Sequence, residues 1–334
     1  MRGTARGLVL TGTTLALACG AIASCGRTTA EPLTMPQASD GSPPASFGRI
    51  SIDAAPVPLN PQDPAATTLG EFRYAGGLFL TSTQTERLHE LSDIVMIGQD
   101  RFAAVGDEGI LLEAQLVLDA AGQLVGITDA SISPLIDQNG AALVAPNADA
   151  EGLTLLPTGD RLVSFETRHR IWLYPRNGGR PRDVPSPAGP FESNAGMEAL
   201  TAQPEVGDDA YLVGIEESGE TWSCRVRSPC VKGPTVDKPP EFGLVALHQL
   251  PDGMTAYLLR AYDPVRMNRI TLKILRGSTL VARMDLAPPM MVDNFEGMTS
   301  VLRPDGSRRF YLISDDNNRA TQRTLLFAFD WQPR

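Results

Sequence analysis

Ala150-Glu151-Gly152-Leu153-Thr154, Met197-Glu198-Ala199-Leu200-Thr201 and Phe295-Glu296-Gly297-Met298-Thr299 are three copies of one phrase. Their acids stand 47 and 98 residues apart, and 98 is two steps of 49. A copy without the acid, Phe242-Gly243-Leu244-Val245-Ala246, falls between the second and third. Another, Leu91-Ser92-Asp93-Ile94-Val95, precedes the first and offers Asp93 in place of Glu. After each copy a short apolar run reaches a turn, and a second apolar run ends in acid. Three of the turns are Pro157-Thr158-Gly159-Asp160, Pro251-Asp252-Gly253 and Pro304-Asp305-Gly306. Pro fixes one backbone angle and Gly supplies the left-handed one, so these are turn signals with a mechanism. The second runs include Arg161-Leu162-Val163-Ser164-Phe165 and Phe310-Tyr311-Leu312-Ile313. These are buried-strand patterns with no helical period.

Repeats of 40–50 residues with several strands each predict an all-β chain folded as a single β-propeller. Its blades are four-stranded and surround a central channel. The five anchors give five blades. Gly76-Gly77-Leu78-Phe79-Leu80 and the C-terminal strand either add a sixth or close the ring by sharing one. A β-sandwich does not explain the spacing.

Composition agrees. Gly and Pro number 31 and 27 in 334 residues, above the average of about 12% for the two together. Hydrophobic residues make up 42% and charged residues 20%, which excludes a disordered chain. The net charge of −10 argues against nucleic acid as a partner.

The N-terminus reads as an address. Arg2 and Arg6 precede an apolar stretch from Leu8 to Leu17, as in a secretory signal. Ile22-Ala23-Ser24-Cys25 resembles the bacterial lipobox, which makes Cys25 the expected lipidation site and residues 1–24 the signal peptide. An ordinary cleaved signal is the alternative. Removal of residues 1–24 takes away two Arg and no acid, so the net charge becomes −12. Residues 25–69 are rich in Pro, Ser, Thr and Ala and read as a tether, and residues 70–334 as the propeller. The expected location is the envelope of a Gram-negative bacterium, periplasmic or membrane-anchored through the lipid, and the expected state is a monomer. Cys224 and Cys230 then meet an oxidising compartment and are expected to form a disulfide closing a small loop.

Antiparallel pairing places the start of the first strand of each blade beside the end of the second. Glu151 is thereby paired with Glu166, Glu198 with Glu216 or Glu217, Glu296 with Asp315 and Asp316, and Asp93 with Asp107 and Glu108. Ring closure gathers at least eight carboxylates at one channel mouth. Crowded carboxylates either raise one another's pKa or bind a cation. Hard oxygen donors from several segments suit Ca²⁺ or another divalent cation. Glu151, Glu166, Glu198, Glu216, Glu296, Asp315, Asp93 and Asp107 are the candidate metal ligands. Glu151, Glu296 and Asp315 are the candidates for direct catalysis. Asn194, Asn294 and Asn317 could add neutral oxygens. Arg168, Arg170, Arg260 and Arg319 stand in the same loops, and of these Arg168, Arg260 and Arg319 are the candidates for holding a substrate anion. The plainer readings are acids that cap their own blades and Arg that pair with them.

Ala150-Glu151-Gly152-Leu153, Asn194-Ala195-Gly196-Met197-Glu198-Ala199-Leu200, Asn294-Phe295-Glu296-Gly297-Met298 and Leu312-Ile313-Ser314-Asp315-Asp316-Asn317-Asn318 occur in this order and spacing. Together they resemble the bacterial phytase-like domain family, described as having esterase-like activity of phytase, over roughly residues 70–331. The resemblance implies an exported β-propeller and hydrolysis of a phosphoester or other ester. Other chemistry lacks its motif. There is no Gly-x-Ser-x-Gly elbow, no P-loop, no GxGxxG and no HExxH, and the three His (His89, His169, His248) are scattered. The expected function is metal-dependent ester hydrolysis at an acidic channel mouth, on a small phosphate ester or other ester. The alternative is a non-catalytic envelope propeller that binds a ligand or a protein. A lactonase- or quinone-type propeller would need a His or quinone site that no repeat anchor supplies.

Overall fold

The computed structural model describes residues 47–189, 191 and 196–333. The signal peptide, Cys25 and Asn194 lie outside them. The described residues contain strands and turns and no helix.

The strands in chain order are β1 (Gly48–Ile50), β2 (Asp53–Pro56), β3 (Thr68–Leu69) and β4 (Phe72–Thr81), then five groups. The first is β5 (Leu91–Met96), β6 (Arg101–Gly106), β7 (Ile110–Leu118) and β8 (Leu124–Pro134). The second is β9 (Ala150–Leu155), β10 (Arg161–Phe165), β11 (Arg170–Tyr174) and β12 (Arg182–Val184). The third is β13 (Ala199–Ala202), β14 (Ala210–Gly214), β15 (Glu220–Arg225) and β16 (Ser228–Thr235). The fourth is β17 (Gly243–Leu250), β18 (Met254–Asp263), β19 (Met267–Arg276) and β20 (Thr279–Leu286). The fifth is β21 (Asn294–Leu302), β22 (Arg308–Asp315) and β23 (Leu325–Trp331), completed by β4.

Each group is one antiparallel blade, and the inner strands β5, β9, β13, β17 and β21 neighbour one another in a closed circle. The protein is a five-bladed β-propeller. The Gly76–Leu80 segment makes no sixth blade. It lies in β4, which pairs with the C-terminal β23 and closes the ring. Apolar cores fill the seams between successive blades. The expected turns form as read: Gly159 and Gly306 adopt φ of 85° and 80°, and Asp252-Gly253 adopt 61° and 65°. Cys224 and Cys230 are joined in a disulfide across the β15–β16 hairpin.

The later part of the expected tether belongs to the fold. Strand β1 pairs with β8 at the outer edge of blade 1, and β2 and β3 both pair with β4 in blade 5. The reason is apolar. Ile50, Ile52 and Ala54 pack on the core between blades 5 and 1, and Leu59, 2% exposed, is part of the core between blades 4 and 5. Pro56 ends the edge strand β2, where no inward N–H is needed, and Pro58, Pro61 and Pro64 lie in the loop between β2 and β3.

The repeated phrase is a packing device. Glu296 is the extra residue of a β-bulge, since Phe295 pairs with Ser314 and Gly297 with Ile313. Blade 2 breaks register at Glu151, blade 4 at Val245 and blade 1 at Ser92. A bulge bends its strand and re-aims one side chain. The next residue is small because the neighbouring inner strand is close. A Cβ on Gly152 would lie 2.5 Å from the Glu198 carbonyl oxygen, and one on Gly297 would lie 2.7 Å from the Asp93 Cα. The Thr two further on from Gly stitches blades together. Thr154 Oγ1 accepts from Ala202 N–H (2.9 Å), Thr201 Oγ1 from Gln249 N–H (3.2 Å) and Thr299 Oγ1 from Met96 N–H (3.2 Å). Blade 1 has Val95 at that position, and Asp93 supplies the stitch instead.

Closure is pinned by charge. Arg309, 1% exposed, donates from Nε and Nη2 to the Asp330 carboxylate at 2.7 and 2.9 Å. Arg303 and Arg73 reach the same carboxylate at 2.9 and 3.1 Å. Breaking a buried pair strands its partner. Asp330→Ala is therefore expected to lower unfolding stability by about 3–5 kcal/mol. Chemical denaturation checks this, and a loss within about 1 kcal/mol would mean that the pair is no more than a surface bridge.

Candidate active site at the acidic end of the ring

Five inner strands start at one end of the ring, and five second strands finish there. The bulged acids of β9 and β21, with Glu198 just before β13, meet the acids that follow β6, β10 and β14 and Asp315 at the end of β22. Glu151 lies within the electrostatic reach of Asp107, Glu198, Glu296 and Glu166. Glu296 lies within that of Asp315, Asp107 and Glu216. Seven of the eight expected ligands are thus gathered: Asp107, Glu151, Glu166, Glu198, Glu216, Glu296 and Asp315.

Asp93 is the eighth and stands elsewhere. The bulged residue of blade 1 is Ser92, so Asp93 aligns with the small residues Gly152 and Gly297. A one-residue shift sends the side chain to the other face. Its Oδ1 accepts from Ile94 and Met298 N–H at 2.8 and 3.3 Å, and its Oδ2 from Leu153 N–H at 2.8 Å. Asp93 ties blades 1, 2 and 5 together. Ser92 takes the anchor position and donates to Asp107 Oδ1 at 2.5 Å.

One residue absent from the sequence reading belongs to the site. Asp149, Asp107 and Glu151 each bring a carboxylate oxygen to a point where all three lie within 4.8 Å of one another. Asp149 sits two positions before Glu151, so the strand period of two was the available signal. These hard oxygen donors from two blades fit a divalent cation. Thr167 Oγ1 orients Asp149 through a 2.5 Å hydrogen bond.

The remaining acids are organised by Arg260. Its guanidinium lies 3.3 Å from Glu216 and 3.2 Å from Glu296, and donates to Asn294 Oδ1 at 2.6 Å. Asn294 Nδ2 donates in turn to Glu296 (2.9 Å) and Asp315 (3.1 Å). The Asn294 oxygen is therefore spent on Arg260, and its role is to bind acids together. Arg260 comes from blade 4, the blade whose anchor is Val245. Arg319 lines a cavity with Arg260. Arg168 stands exposed in the turn after Glu166, and Arg170 stacks on Phe165 and Trp172 at 3.8 and 4.4 Å, so Arg170 is a packing residue. Asp316 is a loop pin that accepts from Glu90 N–H and Thr324 Oγ1 at 3.0 and 2.8 Å.

Burial and mutual repulsion set the charge state. Burial, followed by Asp107, Glu198, Glu296 and Glu166, pushes Glu151 well above the usual carboxyl range. Burial and then Glu216 do the same to Glu198. Glu296 is also raised well above that range, by burial against the pull of Arg260. Burial pushes Asp107 up to about 8, Glu166 up to about 7 and Asp315 up to about 6. Burial opposes the charge of Arg260, but Glu296, Glu198 and Glu216 outweigh it and keep the guanidinium charged.

A family model described as "Esterase-like activity of phytase" matches residues 86–318. The chain belongs to this phytase-like family. Among curated proteins no relative matches. Among solved structures, a protein provisionally described as a gluconolactonase is similar at 12% identity and TM-score 0.46, covering 86% of this chain and 91% of its own. A streptogramin B lyase is similar at 8% identity and TM-score 0.40, covering 86% and 88%. A DUF4221 family member from Bacteroides vulgatus is similar at 6% identity and TM-score 0.41, covering 87% and 100%. The phytase-like match spans all five inner strands and every acid gathered at the ring end.

The raised carboxyls predict an inverse pH dependence. Folded values near 6 to 8 for Asp315, Glu166 and Asp107 lie above the ordinary carboxyl values of 3.8 to 4.5. The folded state then holds protons that the unfolded chain has released, so stability falls as pH rises through that window. The chelator-treated protein is expected to melt at a lower temperature at about pH 8 than at about pH 6. Saturating Ca²⁺ should restore most of the loss at the higher pH and change little at the lower. Equal stabilisation at both would show that the cation does not compete with these protons.

Proposed function

We propose that the phytase-like domain is a divalent-metal-dependent hydrolase of a phosphate ester or related ester. The observation that carries this reading is the convergence of Asp107, Asp149 and Glu151 on one point, next to acids tied to the cavity-lining Arg260. Those three carboxylates would hold the cation. When bound, a divalent cation polarises the ester oxygen and acidifies water.

The chain's own groups supply the rest. Arg260 and Arg319 face the cavity and hold the anionic oxygens of the ester, where charge develops during transfer. Glu166, with its pKa pushed up by burial to about 7, changes protonation near neutral pH. Its carboxyl, faced by the Gly196 N–H, is the group we assign to accept the proton that the attacking water loses. In the overall exchange the water oxygen bonds to phosphorus, the bond to the leaving alcohol oxygen breaks, and that oxygen gains a proton. Glu296 and Asp315 are positioned by Asn294 rather than left open, which makes them supports of Arg260.

The rival is a non-catalytic binding platform, favoured by the same Arg260 and Asn294 bonds, which satisfy several acids without any ligand. Upstream, lipidation of Cys25 would place a monomeric domain at a membrane of the envelope, carried on the segment before residue 47.

Glu151→Gln, which removes one ligand charge with little change of shape, is expected to lower kcat/KM for 4-nitrophenyl phosphate by about 100-fold or more. It should also abolish the stimulation by Ca²⁺. Wild-type protein that shows no hydrolysis with Ca²⁺, Mg²⁺, Mn²⁺ or Zn²⁺ would favour the platform. Cys25→Ser should move the protein from the membrane fraction to the soluble one, and unchanged partition would rule out the anchor.

A further inference from the structure

A cavity of about 560 Å³ opens beside the acidic cluster, between blades 4 and 5. Its cations can be counted. Arg260 is compensated by Glu216 and Glu296. Arg323 is compensated by Asp293 at 3.1 Å. Arg319 also lines the cavity, is exposed, and has no acidic partner among the described residues. The cavity therefore has about one positive charge to spare, and the acids next to it repel further negative charge.

Two buried polar atoms of lining residues are also unused. Arg260 Nε and Gln322 Oε1 make no hydrogen bond to a described residue. Such atoms cost stability unless a ligand or water meets them. The lining also carries apolar side chains: Met290, Met291, whose sulfur accepts from Arg323 Nη1 at 2.9 Å, and Tyr262 and Met267 from the β18–β19 hairpin. Tyr262 and Met267 are 59% and 48% exposed, and Val265 at the hairpin tip is 89% exposed. Methionine and tyrosine side chains adapt to an apolar guest.

We infer that this cavity selects an amphiphilic monoester: one anionic head on Arg319 and Arg260, and an aryl or alkyl group against the methionines. A multiply phosphorylated polyol does not match it, because each further phosphate meets carboxylates and finds no spare cation. That the monoester is hydrolysed rests on the proposed hydrolase function, whereas its binding does not.

Calorimetry on the metal-free full chain tests it with phenylphosphonate, inorganic phosphate and inositol hexakisphosphate. Phenylphosphonate is expected to bind about ten-fold or more tighter than inorganic phosphate. Arg319→Glu should weaken it about ten-fold or more. Met267→Ser combined with Met290→Ser should narrow the preference over phosphate to about three-fold or less. These three positions are exposed or half-buried, and an unchanged melting temperature verifies that the variants fold. Hexakisphosphate binding more tightly than phenylphosphonate and displacing it would overturn the inference, as would equal affinity for phosphate and phenylphosphonate. Phenylphosphonate binding without hydrolysis of phenyl phosphate would sink the hydrolase reading alone. Hydrolysis of inositol hexakisphosphate in preference to phenyl phosphate would sink the cavity assignment alone.

Discussion

The close approach of five inner strands around one axis governs this molecule. Where β9 passes β13 and where β21 passes β5, a methyl group would overlap backbone at 2.5 to 2.7 Å. Only Gly fits there, and Ala199 and Ala246 hold the matching places in blades 3 and 4. The same closeness lets a Thr or Asp side chain on one blade satisfy a backbone N–H on the next. It also forces the residue just before the small one, displaced by the bulge, toward its counterparts on other blades.

That geometry concentrates negative charge. Carboxylates from four blades face one another in a half-buried place, and like charges so placed resist ionisation. The fold offsets part of this with a single arginine, and Asn294 spreads its effect to Glu296 and Asp315. Blade 4 donates Arg260 and carries Val245 where blades 2, 3 and 5 carry Glu, so a blade that departs from the repeat relieves the repulsion. Asp107, Asp149 and Glu151 lie beyond the direct contacts of Arg260 and keep their strain. Strain retained at one spot of an otherwise satisfied structure is common at functional sites.

Much of this was legible along the chain. The 47- and 49-residue steps and the Pro-Asp-Gly turns are local properties, and they led to blades of the right size. Pairing Glu151 with Glu166, Glu198 with Glu216 and Glu296 with Asp315 needed only antiparallel hairpins. Asp93 misled because Leu-Ser-Asp-Ile-Val aligns with the repeat equally well one residue either way. The bulge that makes Ser92 the anchor is a feature of pairing, not of composition. Residues 47–69 misled because short edge strands joined by a Pro-containing loop look like a Pro-rich tether. What separates them is the burial of Leu59 against a core built from residues about two hundred positions away.

The sequence by itself determined the repeat, the strand and turn alternation, the pairing of acids within each blade and the excess of negative charge. These depend on neighbours in the chain and on periods of two. Tertiary structure decided the number of blades, because closure joins β4 to β23 across the whole chain. It also decided which acids meet without compensation, because that depends on where Arg260 of blade 4 and Asn294 of blade 5 place their side chains among the acids. Electrostatic neighbours at a ring axis come from every part of the chain, and only the closed ring brings them within a few ångströms.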